Sequence, residues 1–141
     1  AEQYGKAFEI FNKIIKIQPD NAEAHYNRGV ALYNLNMKGD IEYAKKVGGL
    51  GFMHAMNSGL FSKMAKDSFK KVISLRPDYP EAHYMLGITY NEIWQPSHSE
   101  EQYKILLNIN KGLADKLKEK IDLTNESFSL LEDETTVNDE Q

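Results

Sequence analysis

The sequence predicts an all-α fold: an antiparallel array of helices built from a repeated unit. Three observations carry this. First, the stretch Pro77-Asp-Tyr-Pro-Glu-Ala-His-Tyr-Met-Leu-Gly-Ile-Thr-Tyr90 repeats Pro19-Asp-Asn-Ala-Glu-Ala-His-Tyr-Asn-Arg-Gly-Val-Ala-Leu32 at a constant offset. The same offset holds upstream, where Ala7, Phe11, Ile14 and Pro19 map onto Ala65, Phe69, Val72 and Pro77. Second, apolar residues recur at spacings of three and four through most of the chain, the period of a helix with one buried face. Third, a proline closes the upstream half of each copy, and the residue before a proline avoids helical geometry.

Taken in order, residues 2–17 read as a helix with Tyr4, Ala7, Phe8, Phe11, Ile14 and Ile15 on one stripe. Asp20 or Asn21 can cap a second helix over 22–36. Gly29 lies inside that helix and Gly87 lies in its later copy. Glycine there costs about 1 kcal/mol against alanine, so a close approach of another helix is expected at both. Lys38-Gly39-Asp40 is a turn signal, residues 41–47 suit a short helix, and Gly48-Gly49-Leu50-Gly51 stops it. Phe52, Met56, Leu60, Met64, Phe69, Val72 and Ile73 then predict one helix over 52–76. Pro80 suits the first turn of the next helix, 80–94. Ser97 and Glu100 form a capping box ahead of a long helix over 98–121, with Tyr103, Leu106, Leu107, Leu113, Leu117 and Ile121 on one side. A short last helix with Phe128, Leu130 and Leu131 ends the folded domain at 131. The acidic segment 132–141 is expected to be disordered.

The residues His83-x2-Leu86-Gly87-x2-Tyr90, preceded by Ala65-x3-Phe69 and Pro77, resemble the tetratricopeptide repeat (TPR) pattern. Ala7-x3-Phe11, Pro19 and His25-x2-Arg28-Gly29-x2-Leu32 form a second copy. Together they cover residues 2–94. The resemblance implies a TPR-type α-solenoid, with the long C-terminal helix as its cap because it lacks the small-x3-aromatic motif. The two copies stand further apart than one TPR register, and both flanks keep the motif spacing, so the excess lies between Leu35 and Ala65. This insertion, about residues 37–60, maps to one face of the array. The resemblance also implies a non-enzymatic protein–protein interaction module, acting as scaffold, adaptor or subunit of a larger assembly. In TPR proteins the first helix of each unit lines the concave face. The corresponding groove residues are Tyr26, Asn27, Val30, Tyr33, Asn34, Tyr84, Ile88 and Asn91. Tyr26-Asn27-Arg28 is similar to a segment with which co-chaperone TPR domains grip a terminal carboxylate. The positions that would complete that clamp hold Glu81 and Met85, and Glu81 repels a carboxylate, so the clamp reading is rejected.

Composition narrows the remaining functions. Of the net charge of −4, Glu132, Asp133, Glu134, Asp139 and Glu140 carry −5, which leaves a near-neutral body without the basic face that nucleic acid requires. The absence of cysteine excludes disulfides, thiolate metal sites and cysteine nucleophiles. No apolar run reaches transmembrane length. The Ala1 start suits a mature chain after signal-peptide removal and suits an excised fragment equally, so cytoplasmic and exported locations both stay open. No nucleophile–base set, Walker loop or H-E-x-x-H occurs, so no catalytic residue and no cofactor is assigned. His25 and His83 occupy the large-aromatic position of the repeat and are read as packed imidazoles. His54, beside Met53 and Met56, supports an alternative reading as a ligand- or metal-binding accessory protein, since thioethers suit soft metals. Methionine is more often a packing residue, so no metal site is assigned. Phe52, Met53 and Met56 form either a candidate partner-binding tip within the insertion or a satellite cluster that the short helix 41–47 covers through Ile41 and Val47. The stripe of helix 2–17, through Phe8, Phe11 and Ile15, is the candidate surface for self-association or for another subunit.

Overall fold

The structure, a computed structural model, describes residues 2–38 and 59–138. Among these are six α-helices and no strand: α1 (Glu2–Ile17), α2 (Ala22–Lys38), α3 (Leu60–Leu75), α4 (Pro80–Glu92), α5 (Pro96–Ile109) and α6 (Lys111–Asn138). Each helix packs on the one before it, and α4 also meets α6. The array therefore contains two complete helix pairs, α2–α3 and α4–α5, flanked by α1 and α6.

Local chemistry explains the boundaries. Asn21 Oδ1 accepts a hydrogen bond from the Ala24 N–H at 2.9 Å, which satisfies one orphan donor at the start of α2. Pro80 occupies the first turn of α4, where its missing N–H costs nothing. That helix ends in a Schellman arrangement. The Trp94 N–H donates to Asn91 O at 3.3 Å and the Gln95 N–H to Tyr90 O at 2.9 Å. Trp94 sits at φ 56° to close it, in the left-handed region where glycine is the usual residue.

Two glycines set the inter-helix distances. A Cβ at Gly29 would lie 2.6 Å from the Phe69 ring on α3. A Cβ at Gly87 would lie 2.5 Å from Leu117 on α6. Both helices come closer than any side chain allows, as their sequence positions predict. Around these contacts the core divides into layers. Leu32, Phe61, Ala65, Phe69, Leu86 and Tyr90 pack between α2, α3 and α4. Ile88, Leu106, Ala114, Leu117 and Ile121 pack between α4, α5 and α6. A smaller group of Ala22, Val72 and Ala82 closes the end near the Pro19 and Pro77 turns. Surface pairs Lys71–Asp20 and Arg76–Glu23, each at 3.0 Å, tie α3 to the start of α2 and add little because both are solvated.

Four expectations need correction. The helix predicted over 52–76 begins at Leu60, because Gly59 takes φ 67° and ψ 18°, a left-handed geometry that a regular helix cannot run through. Residues 52–58, and the short helix predicted over 41–47, lie outside the described residues. The helix predicted over 98–121 is two helices. Asn110 adopts extended geometry (φ −159°, ψ 92°), and its Oδ1 accepts from the Leu113 N–H at 3.0 Å, so it ends α5 and caps α6. The capping box at Ser97 and Glu100 does not form: Gln95 is the N-cap residue, without a side-chain cap bond, and Pro96 opens the helix. Finally, α6 has a helical backbone to Asn138, past the domain boundary placed at 131.

The end of the array also follows the repeat more closely than its composition suggested. Ser99 follows Ala65, and Tyr103 follows Phe69, by one TPR register, so the small-x3-aromatic pair is present with serine as its small member. Ser99 is fully buried and its Oγ donates to Gly87 O at 2.9 Å. A hydroxyl fits the alanine space here because the backbone supplies an acceptor.

Candidate protein-binding face

The predicted groove residues divide into three groups. Tyr26, Val30, Tyr33, Asn34 and Tyr84 are half-buried and Asn27 is exposed, so these six keep some solvent-facing surface. Tyr26 stands against Phe69 and Tyr79, with ring centroids 5.9 and 5.3 Å apart. Asn34 Nδ2 donates back to Val30 O at 2.9 Å, which leaves its oxygen for other partners. Ile88 and Asn91 are corrected from groove to core: both are buried beneath α6. Asn91 Nδ2 donates to Thr124 Oγ1 at 2.7 Å, and Ile88 packs in the layer with Leu117 and Ile121.

Sequence reasoning missed Glu92, the repeat-mate of Asn34. The Tyr33 hydroxyl donates to Glu92 Oε1 at 2.5 Å, which bridges α2 to α4. Burial is the first cause of the upward shift of the Glu92 pKa, and it outweighs the opposing effects of the Tyr33 hydrogen bond and of Lys120. Tyr33 is likewise pushed up, first by burial and then by the neighbouring carboxylate. The signal that could have found Glu92 was the spacing that carries Pro19 onto Pro77, applied to Asn34.

Arg28 does not reach this face. Its Nε donates to Ser68 Oγ at 3.0 Å and its Nη1 to Asn12 Oδ1 at 3.5 Å, so it spans from α2 to α3 and α1. Burial holds its pKa below the ordinary guanidinium value. The arginine of the Tyr26-Asn27-Arg28 segment therefore points into the body, which agrees with rejecting a carboxylate clamp.

The two motif histidines are packed. His25 Nε2 donates to Pro19 O and His83 Nε2 to Pro77 O, both at 2.7 Å, closing equivalent turns. Gln102 Oε1 is placed 2.7 Å from His83 Nδ1. A neutral ring that donates from Nε2 accepts at Nδ1, so this amide must present its NH2 instead. In the earlier unit Ser68 stands where Gln102 does, one register before it, and Arg28 occupies it. His25 Nδ1 is left buried without a partner. Among the described residues no group of three His, Asp or Glu could hold a metal. His54 lies outside them, with Phe52, Met53 and Met56.

The self-association stripe is also redistributed. Phe8, Phe11 and Ile15 are half-buried, Phe8 against the first core layer, because α2 covers that side of α1. The exposed apolar residues of α1 are Ile10 and Ile17. No helix among the described residues is long and apolar enough to cross a membrane.

Residues 1–36, spanning α1 and most of α2, match the family model for the TPR repeat. Over α1 and most of α2 the chain is thus similar to a TPR repeat. Proteins of this family are in general non-catalytic modules for protein–protein interaction. The crystal structure of MamA is similar at 22% sequence identity, over 89% of this chain and 91% of that one, with a TM-score of 0.35. A superposition that loose carries no argument about fold or function. Comparison with curated proteins returned no match.

Proposed function

We propose that this TPR chain is an adaptor or structural subunit that holds other proteins together, with the face formed by α2 and α4 as its main contact surface. One observation carries the reading. Tyr33 and Glu92 join two successive first helices, while Tyr26, Asn27, Asn34 and Tyr84 keep solvent-facing surface beside them. Rigid tyrosines contribute large contact area at low entropy cost, and such residues anchor protein interfaces. The outward side of α1, with Ile10 and Ile17, is a second surface covered within the assembly. No observation favours the metal-carrier reading over this one.

The test is a pull-down with purified protein from the native source, comparing wild type with the double variant Asn27→Asp, Tyr84→Ala. The reading expects loss of a specific partner with an unchanged circular dichroism spectrum. An identical set of bound proteins would refute the assignment of this face. Stoichiometric metal in the purified protein would favour the alternative.

A further inference from the structure

The turns that open α2 and α4 carry the same pair of acids. Asp20 and Glu23 of the first map onto Asp78 and Glu81 of the second by the offset that carries Pro19 onto Pro77. The two turns share their geometry as well, since His25 and His83 each donate from Nε2 to the proline carbonyl at 2.7 Å. At the first turn both carboxylates are neutralised from α3 and the residue that ends it. Lys71 Nζ lies 3.0 Å from Asp20 Oδ1, and Arg76 Nη1 lies 3.0 Å from Glu23 Oε1. One TPR register later, Lys71 becomes Ile105 and Arg76 becomes Asn110. Neither can neutralise an acid, and Asn110 Oδ1 already caps α6.

The second turn therefore presents the two carboxylates without the basic side chains that match them in the first. Asp78 and Glu81 are exposed, and among the described residues neither forms an ion pair. The next acid in the series, Asp115, is matched again, by Lys111 at 2.8 Å. An apolar edge replaces the cations of the second unit. Ile105 and Ile109, about one helical turn apart on α5, are each 38% exposed. Carboxylates beside an apolar strip suit a lysine or an arginine, whose aliphatic stem covers apolar surface while its head reaches the charge. The first unit shows the same arrangement filled by two such residues.

We propose that Asp78 and Glu81 receive two basic side chains of a partner protein, laid along Ile105 and Ile109 in the place that Lys71 and Arg76 take in the first unit. The proposal rests on the reading of the chain as a protein-interaction module and gives that partner a basic, amphipathic segment. Exposed ion pairs are individually weak, so binding is salt-sensitive and needs both acids.

The probe is a blocked, alanine-based helical peptide with a lysine and an arginine spaced as Lys71 and Arg76 are. It is titrated into labelled protein at low and high sodium chloride and followed by amide NMR. The expected result is a saturable shift of the amides at 78–81 and 105–110, with an affinity that falls as salt rises. The double variant Asp78→Asn, Glu81→Gln should weaken binding about fivefold or more. Ile105→Lys supplies the ammonium that the first unit has and should weaken it as well. Asp20→Asn with Glu23→Gln, at the turn whose cations are in place, should leave it unchanged. The absence of a saturable shift at millimolar peptide overturns the proposal. So does wild-type affinity in either second-unit variant. An equal loss in the first-unit variant also overturns it, since the peptide would then be binding acidic surface at large. Any of these failures leaves the α2–α4 reading standing, because the pull-down with Asn27→Asp, Tyr84→Ala tests that face without altering Asp78 or Glu81.

Discussion

Replacing Gly29 by alanine sets two effects of opposite sign against each other. Alanine gains about 1 kcal/mol over glycine in a helix interior. The new Cβ, however, would meet three atoms of the Phe69 ring at 2.6, 2.8 and 3.0 Å. That ring is fully buried, and an aromatic edge cannot bend aside. Relief requires α2 and α3 to separate by several tenths of an ångström along their main contact. Overpacking of this kind costs about 1–3 kcal/mol, and the rigid ring places Gly29→Ala toward the upper end. The net expectation is a loss of about 1–2 kcal/mol, seen as a fall of several degrees in Tm by far-ultraviolet circular dichroism. Gly112→Ala is the matched control. Its Cβ would meet only Asn110 Oδ1 at 3.5 Å, an ordinary contact, so the propensity gain survives and Tm should hold or rise. If Gly29→Ala raised Tm alongside Gly112→Ala, the close approach of α2 to α3 would be wrong, and with it the explanation of the repeat's glycine.

Other consequences can be measured on the same protein. Leu117→Ala empties a fully buried site beside Gly87 and should cost about 2–5 kcal/mol in urea denaturation. Asn110→Ala removes the cap between α5 and α6 and should cost about 1 kcal/mol, with no change in bound partners. For Glu92 the folded state raises the carboxyl pKa, so its contribution is fully present below the ordinary glutamate value and is lost as pH rises through the raised one. Glu92→Gln should therefore gain in Tm relative to wild type from acidic to neutral pH, and a constant difference across that range would refute the burial argument.

Much of this architecture was legible because the repeat encodes packing directly. Gly29 and Gly87 announced close approaches that the structure contains, and Pro19 and Pro77 marked turns that His25 and His83 close. The misreadings share one cause: a one-dimensional pattern does not say which neighbour covers a face. Ile88 and Asn91 sit at groove positions of their helix, yet α6 lies over them, and nothing in residues 80–92 reveals that. Asn110 was hidden because apolar spacing continues across it, although an asparagine before Lys111-Gly112 is a capping signal in its own right. Ser99 was overlooked because serine looks polar until the Gly87 carbonyl stands opposite. Glu92 is hidden because its repeat-mate, Asn34, is an uncharged amide.

The contact between Gly29 and Phe69 keeps its repeat geometry although residues 39–58 separate the two helices that make it. Closing a loop costs free energy that grows only with the logarithm of its length, about 0.6 kcal/mol per doubling. The α2–α3 interface thus holds Lys38 and Gly59 at one end of the array with little dependence on the covalent path between them. A polypeptide opened between α2 and α3 should reassemble from its two pieces, since Gly29 and Leu32 pack directly on Phe69 and its neighbours.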